Sequence, residues 1–189
     1  SSGVGGVSTS SISNGTSNVS VAAGANITFT HNSSLIGSVK STGIELETGK
    51  KFIGTATEAE YADLAERFEA DDVYTAGTVV ELGGSKEITS VVEALSEKVF
   101  GVISTAAGFL MNGGAGTNET HPPIAMGGRV PVRVVGTVEK GDRLVSAGNG
   151  LARSASRDEL TAFNVIGRAL TNKDTEAEGT VEAIVKISS

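Results

Sequence analysis

The chain has 189 residues, of which 4% are aromatic and 25 are glycine, so Val, Ile, Leu and Ala must fill its interior unless another copy completes it. Its formal net charge is −7, and the sequence does not gather Lys and Arg into a stripe, which excludes binding to a nucleic-acid backbone. Because there is no Cys and the only histidines are His31 and His121, disulfides, thiolate catalysis and histidine-rich metal sites are excluded as well.

No membrane partner is expected from the sequence. No apolar run approaches the roughly 18 residues that a spanning helix needs. Residues 1–6 lack the charged start and the apolar middle of a signal peptide. The sequence therefore predicts a soluble protein that binds neither membrane nor nucleic acid and needs no cofactor.

Residues 1–54 predict a β-rich stalk or arm. Small and hydroxylated residues dominate, and turn signals such as Ser13-Asn14-Gly15 recur at close intervals. Between the turns, short runs alternate apolar and polar residues, which is the two-residue period of a strand with one buried face. These runs are residues 18–22, 27–30 and 44–47.

The apolar residues of this segment are too few to offset the ordering entropy of some fifty residues, at about 1–2 kcal/mol each. One interpretation is that identical strands of neighbouring copies close a shared core; the alternatives are docking on the second half and a flexible linker. We expect the oligomer interface to be formed by Val19, Val21, Ile27, Phe29, Ile44 and Leu46. With Val39, these residues would make up the shared core.

Residues 55–70 are interpreted as a connector. Tyr61, Leu64, Ala65 and Phe68 fall at helical spacing, yet Ala62, Leu64 and Phe68 also sit at even intervals. Periodicity therefore does not decide between a helix and an extended chain.

Residues 71–189 predict a β-barrel or sandwich head, because regular apolar runs alternate with Gly-rich turns. An alternative over residues 88–99 is one short helix, since five apolar side chains there recur at helical spacing. We expect the head core to contain Val79, Leu82, Val102, Ile103, Val132, Val134, Leu144, Ile166, Ile184 and Ile187.

Several ordered motifs in the second half carry a family resemblance. They are Tyr61-Ala62-Asp63-Leu64-Ala65-Glu66-Arg67-Phe68, Gly77-Thr78-Val79-Val80, Val99-Phe100-Gly101-Val102-Ile103-Ser104-Thr105, Phe109-Leu110-Met111-Asn112, Gly128-Arg129-Val130-Pro131-Val132 and Gly141-Asp142-Arg143-Leu144-Val145. Together they resemble the C-terminal β-domain of tailed-bacteriophage virion structural proteins, which include tail fibres, neck appendages and capsid fibres. The likeness spans residues 60–187, and residues 12–19 are similar to the β-stalk segments of such fibres.

The resemblance implies a homotrimeric fibre, spike or appendage on a virion, assembled in the host cytoplasm. Its partners would be itself, other virion proteins and a host surface receptor or glycan. A related appendage family carries a self-cleaving domain that releases a C-terminal chaperone. Since the sequence stops at Ser189, just after the last predicted strand, we expect no chaperone within it. The alternatives are a capsid decoration protein and an autoproteolytic appendage domain.

No catalytic or metal site is predicted. Ser104, Thr105, Thr117, Thr120 and His121 are candidate nucleophiles or bases, with Asp63 or Glu66 as orienting carboxylate, but no spacing ties them together. The Gly-rich residues 112–120 lack the Lys-Ser or Lys-Thr of a phosphate loop and predict a flexible exposed loop. The scattered carboxylates have no calcium-loop pattern.

Overall fold

The computed structural model describes residues 11–21, 26–53, 58 and 60–186. The chain divides into two compact units, Ser1–Ala56 and Thr57–Ser189. The regular elements of the described residues are fifteen strands and one short 3-10 turn, so the fold is all-β, as the sequence predicts. No helix in these residues is long and apolar enough to cross a membrane.

The first unit holds a five-stranded antiparallel sheet whose strands are adjacent in chain order. The alternation of apolar and polar residues produces extended strands, and tight turns connect most of them. At the third turn, Asn32 and Ser33 both have positive φ, the geometry whose twist matches that of a hairpin. The strands are β1 (Ser11–Asn14), β2 (Ser17–Val21), β3 (Ile27–His31), β4 (Ser34–Lys40) and β5 (Gly43–Leu46).

The second unit holds ten strands in one continuous sheet that partly closes on itself. The strands are β6 (Asp63–Arg67), β7 (Val79–Leu82), β8 (Ile88–Ser90), β9 (Val99–Ile103), β10 (Phe109–Met111), β11 (Pro123–Val134), β12 (Arg143–Gly148), β13 (Leu151–Ser154), β14 (Val165–Ala169) and β15 (Gly179–Lys186).

Five of these strands form a closed barrel, in the order β11, β15, β14, β12 and β13. The ring closes because β13 returns to β11, where Val134 pairs with Ala152 and the Val135 amide donates to the Ala152 carbonyl at 2.9 Å. Small and β-branched side chains fill the interior, which suits a chain with so few aromatic residues. The buried set includes Val130, Val132, Val134, Leu144, Ala152, Ile166, Val181, Ala183 and Val185.

Strand β11 also belongs to a side sheet, since it is 12 residues long. Its first residues pair with β9 and with β6, so that Ile124 lies opposite both Ile103 and Glu66. β7 and β8 extend this sheet beyond β9, and β10 pairs in parallel with β6. A second small core covers it, built on Val80, Ile88, Ile103 and Ile124 with the edge-to-face rings of Phe68 and Phe100.

The alternative of a helix over residues 88–99 is wrong. Ile88 lies in β8 and packs in the second core, whereas Val91 belongs to the first core. Leu95 has a φ of +60°, which no α-helix contains, and Val92 is exposed. The helical spacing of these residues therefore reflects burial on two different cores rather than one helix face.

Two of the predicted core residues lie on the surface. Leu82 is 53% exposed, because it is the last residue of β7 and is followed by an exposed turn over residues 83–87. Ile184 is 51% exposed, because Ala183 and Val185 on either side of it point into the barrel. Ile187 lies outside the described residues. The other predicted core residues are buried: Val79, Val102, Ile103, Val132, Val134, Leu144 and Ile166.

The segment interpreted as a connector, residues 55–70, contains a strand. Residues 63–67 are extended as β6 and pair with β11 and β10. The chain is therefore extended here, but its buried side is formed by Asp63 and Ala65, whereas Ala62 and Leu64 of the evenly spaced set are exposed.

A charged cluster holds the 3-10 turn Arg157–Glu159 beside β13. The Arg153 guanidinium binds both oxygens of Glu159, with nitrogen to oxygen distances of 2.6 and 3.1 Å. The backbone amide and hydroxyl of Ser156 donate to the same carboxylate. These donors, Arg153 foremost, lower the pKa of Glu159 to about 2.

We predict that Leu144→Ala lowers the free energy of unfolding by about 2–5 kcal/mol, because it leaves a cavity in the closed barrel. Leu82→Ala is the matched control, and as a surface change it should cost no more than about 0.5 kcal/mol. Urea denaturation monitored by circular dichroism measures both. Equal losses from the two variants would contradict the barrel core described above.

We predict that the Arg153–Glu159 pair makes the second unit less stable at acidic pH. The folded pKa of Glu159 is about 2 and the ordinary value 4.5, so its contribution is complete above 4.5 and is lost as the pH falls towards 2. Calorimetric melting of the wild type and Glu159→Gln should differ at pH 6 and converge near pH 2. Asp158→Asn, which removes a charge from the same turn but leaves the Arg153 pair, is the control; a constant difference at every pH would refute the linkage.

Candidate assembly surface

Most of the apolar side chains in the strands of the first unit share one face of its sheet. Directly paired residues of an antiparallel sheet project to the same side, and residues two apart along a strand do so too. The register therefore aligns two apolar rows that run across the strands. They are Ile12, Val19, Phe29, Gly37 and Leu46 in one row, and Val21, Ile27, Val39 and Ile44 in the next.

The opposite face of the sheet is polar. An ion pair between Lys40 and Glu45 lies there, and the Ser20 hydroxyl donates to Asn18 at 2.8 Å. Two apolar residues of β4 lie outside the apolar rows: Leu35 is opposite Thr30, and Ile36 is at the bulge between Leu35 and Gly37. The other side chains of this face are Ser11, Ser13, Thr28 and Ser38.

The apolar face is open to solvent in the single chain. Four of its side chains are exposed, namely Ile12, Ile44, Val21 and Phe29, and four are half-buried, namely Val19, Ile27, Val39 and Leu46. Apolar surface that is exposed in this way is typical of interaction sites. We therefore name this surface, made of Ile12, Val19, Val21, Ile27, Phe29, Val39, Ile44 and Leu46, the apolar face.

All six residues predicted for the oligomer interface lie on the apolar face: Val19, Val21, Ile27, Phe29, Ile44 and Leu46. That they contact another copy stays a prediction. Ile12 was missed, although its alternation with Ser11 and Ser13 is the same strand signal. Val39 was identified only as part of the shared core.

Gly37 allows the apolar face to pack closely. A Cβ atom built on Gly37 would lie 2.5 Å from the carbonyl oxygen of Glu45 and 2.9 Å from the Leu46 side chain. The Leu46 side chain therefore occupies the space above this glycine. Any larger residue would push β5 away from β4.

The candidate catalytic residues do not form a constellation. His121 Nδ1 contacts the Thr120 hydroxyl at 3.1 Å, but within residues 60–186 no hydrogen bond joins His121 to Asp63, Glu66 or Ser104. Asp63 and Ser104 are buried, and each has a side-chain oxygen without a hydrogen-bond partner. In the described part of the chain, no three His, Asp or Glu side chains gather in a way that could hold a metal ion.

The Gly-rich loop is exposed but anchored. Arg67 Nη1 donates to the Asn118 side chain at 3.0 Å and to the His121 carbonyl at 2.6 Å, and the Asn112 side chain donates back to the Arg67 carbonyl. A hydrogen bond from Thr117 lowers the pKa of Glu119. The loop is therefore held on β6 by one arginine, which the sequence did not indicate.

The fold class is all-β: the first unit is a five-stranded sheet that carries the apolar face, and the second unit contains a closed barrel. No family model and no curated protein matches the sequence. Among solved structures, it is similar to the pre-mature gene product 12 of bacteriophage phi29, with 18% identity and a TM-score of 0.51 over 82% of this chain and 25% of that chain. This likeness shows a shared fold.

Two further structures from the same phage match with lower scores. The C-terminal fragment of gene product 12 has 19% identity and a TM-score of 0.47, covering 66% of this chain and 100% of the fragment. The head fiber gp8.5 N base has 11% identity and a TM-score of 0.41, covering 67% of this chain and 96% of that chain.

We predict that Gly37→Ala destabilises the first unit by about 1–3 kcal/mol, because the added methyl overlaps the Glu45 backbone. Amide hydrogen exchange of β4 and β5 measures the loss of protection. Gly113→Ala is the control, since a Cβ at Gly113 meets nothing within 4 Å. Unchanged exchange in the Gly37 variant would show that β5 is not packed as described.

Proposed function

We propose that the protein is a non-enzymatic structural subunit of a tailed-phage virion, a fibre, spike or appendage. The first unit joins identical chains through the apolar face, and the second unit is a head that contacts other virion proteins or the host surface. Its location is then the virion.

The observation that carries this proposal is the one-sided sheet of the first unit. Apolar side chains line one face and mostly polar side chains the other, and half of the residues of the apolar face are exposed in the single chain. Burying such a face yields roughly 25 cal/mol for each Å² removed from water. A second copy offers the same face, so self-association is the simplest way to cover it.

Sheet geometry is compatible with three copies. Five strands at about 4.8 Å spacing make a sheet about 20 Å wide, and three such sheets around a threefold axis each lie about 6 Å from it. That distance is the reach of Val, Ile and Phe side chains and is near half the roughly 10 Å between packed sheets. Two sheets face to face also satisfy the spacing; the fibre-like sequence motifs favour three.

The phage assignment is supported by the motifs in residues 60–187 and by the fold likeness to a phage gene product. A capsid decoration protein has the same chemistry and differs in its place on the particle. Antibody labelling of intact virions separates the two, since a fibre is labelled at a projecting appendage and a decoration protein over the capsid lattice.

We predict that Phe29→Asp dissociates the oligomer, because it places a charge in the centre of the apolar face. Sedimentation should give about 57 kDa for the wild type, three times the chain mass of 19.1 kDa, and a single-chain mass for the variant.

Thr28→Asp is the matched control, because it adds the same charge to the polar face one residue away. It should keep the wild-type mass. A wild-type protein that sediments as a single chain, or a Phe29→Asp variant that sediments unchanged, would refute assembly through the apolar face.

A further inference from the structure

Arginine side chains form a row across the outside of the barrel. Arg143 on β12 lies directly opposite Arg168 on β14, Arg168 lies opposite Ile184 on β15, and Ile184 lies opposite Arg129 on β11. All four side chains are exposed. Because direct partners project to the same side of a sheet, the row presents three guanidinium groups with an isoleucine among them.

Lys186 extends the row, since it lies two residues beyond Ile184 on the same strand face. A groove of about 380 Å³ runs along Arg143, Arg168, Ile184 and Lys186. We name this surface, made of Arg129, Arg143, Arg168, Ile184 and Lys186, the arginine face.

The charges of the arginine face are not neutralised within the chain. The four ion pairs of the described residues are Lys40–Glu45, Lys86–Glu69, Arg133–Glu178 and Arg153–Glu159, and none involves this face. Arg168 donates only to the Gly141 carbonyl, at 3.0 and 3.2 Å. Like charges directly opposite each other destabilise a sheet, so folding of the single chain does not account for the Arg143–Arg168 pair.

The composition of the arginine face is that of a protein interface. Arginine is enriched at such interfaces, and three of the five residues of this face are arginines. Ile184 supplies an apolar centre with cations on both sides. The arginine face therefore fits an acidic protein surface that also has an apolar centre.

The same chain carries a surface of that description. Residues 58–98 hold 11 acidic and three basic side chains, half of the 22 acidic residues in the chain. Within them, three carboxylates and one amine, those of Glu81, Glu93, Glu97 and Lys98, border a groove of about 280 Å³ beside Val92, which is 67% exposed, so the groove has an excess of negative charge. The Ser96 hydroxyl donates to Glu81 at 2.7 Å. We name Glu81, Val92, Glu93 and Glu97 the glutamate patch.

We propose that the arginine face of one copy docks on the glutamate patch of the next. The inference rests on the proposed self-assembly and deepens it by naming a contact between heads. Because the two surfaces differ, the contact is heterologous: each copy uses its arginine face towards one neighbour and its glutamate patch towards the other. A cyclic oligomer therefore pairs both surfaces of every copy. Chains already joined through the apolar face hold their heads at high local concentration, so even a weak ionic contact is populated.

A zero-length cross-link tests this contact on the full chain. A water-soluble carbodiimide joins a lysine amine to a carboxylate only when the two groups touch. Equal amounts of 14N and 15N chains are refolded together, treated, digested and analysed by mass spectrometry. We expect mixed-isotope peptides that link Lys186 to Glu81, Glu93 or Glu97 of another copy, with a yield that falls severalfold from about 0.05 M to about 0.5 M salt.

Charge variants make the test specific. Arg143→Glu with Arg168→Glu should lower the yield of Lys186 cross-links by about tenfold, since like charges then face each other. Adding Glu93→Lys and Glu97→Lys to that variant reverses both surfaces. It should restore cross-linking, now between position 93 or 97 of one copy and position 143 or 168 of the next. Links from the exposed Lys140, on a turn outside the arginine face, serve as the control and should not change.

Sedimentation of the same samples separates this inference from the proposed function. An oligomer without mixed-isotope links from Lys186, or with Lys186 linked to carboxylates outside the glutamate patch, overturns the head contact and leaves assembly through the apolar face intact. A single-chain mass overturns both.

Discussion

The stability of the first unit depends on whether its apolar face is covered. A sheet with apolar side chains on one side only gains little from folding while that side remains in water, because the backbone and side-chain entropy must still be offset. Ile12, Val21, Phe29 and Ile44 are exposed in the single chain. The second unit differs in this respect, because the barrel encloses its own core of small and β-branched residues. In the proposed assembly, association is therefore coupled to folding of the first unit and not to folding of the second unit.

The two proposed contacts perform different physical tasks. Burial of the apolar face supplies most of the association energy, but apolar surfaces slide past one another with little loss. Ionic contacts between Arg143 or Arg168 and Glu93 or Glu97 are worth less in water, yet like charges meet when the register is wrong. Head contacts of this kind would fix which way round neighbouring chains lie, and the apolar face would hold them together.

The sequence predicted local features well and features built by long-range pairing poorly. Two-residue alternation identified strands in both units and placed Val19, Phe29 and Leu46 on one face, because that periodicity is a local property of extended chain. The helix alternative over residues 88–99 failed because burial on two cores imitated helical spacing. The sequence did not predict the row formed by Arg129, Arg143 and Arg168. These residues are far apart in the chain, and only the register of four strands brings them together.

Strand order in the barrel has a consequence for synthesis on the ribosome. β15, the last of the ten strands of the second unit, lies between β14 and β11, so the ring has a gap until residues 179–186 have emerged. Until then, the residues of β11 that pair with β15, such as Val130 and Val132, lack their partner strand. The nascent head therefore presents an open strand edge while β6 to β14 are synthesised, and the ring closes only once β15 has emerged.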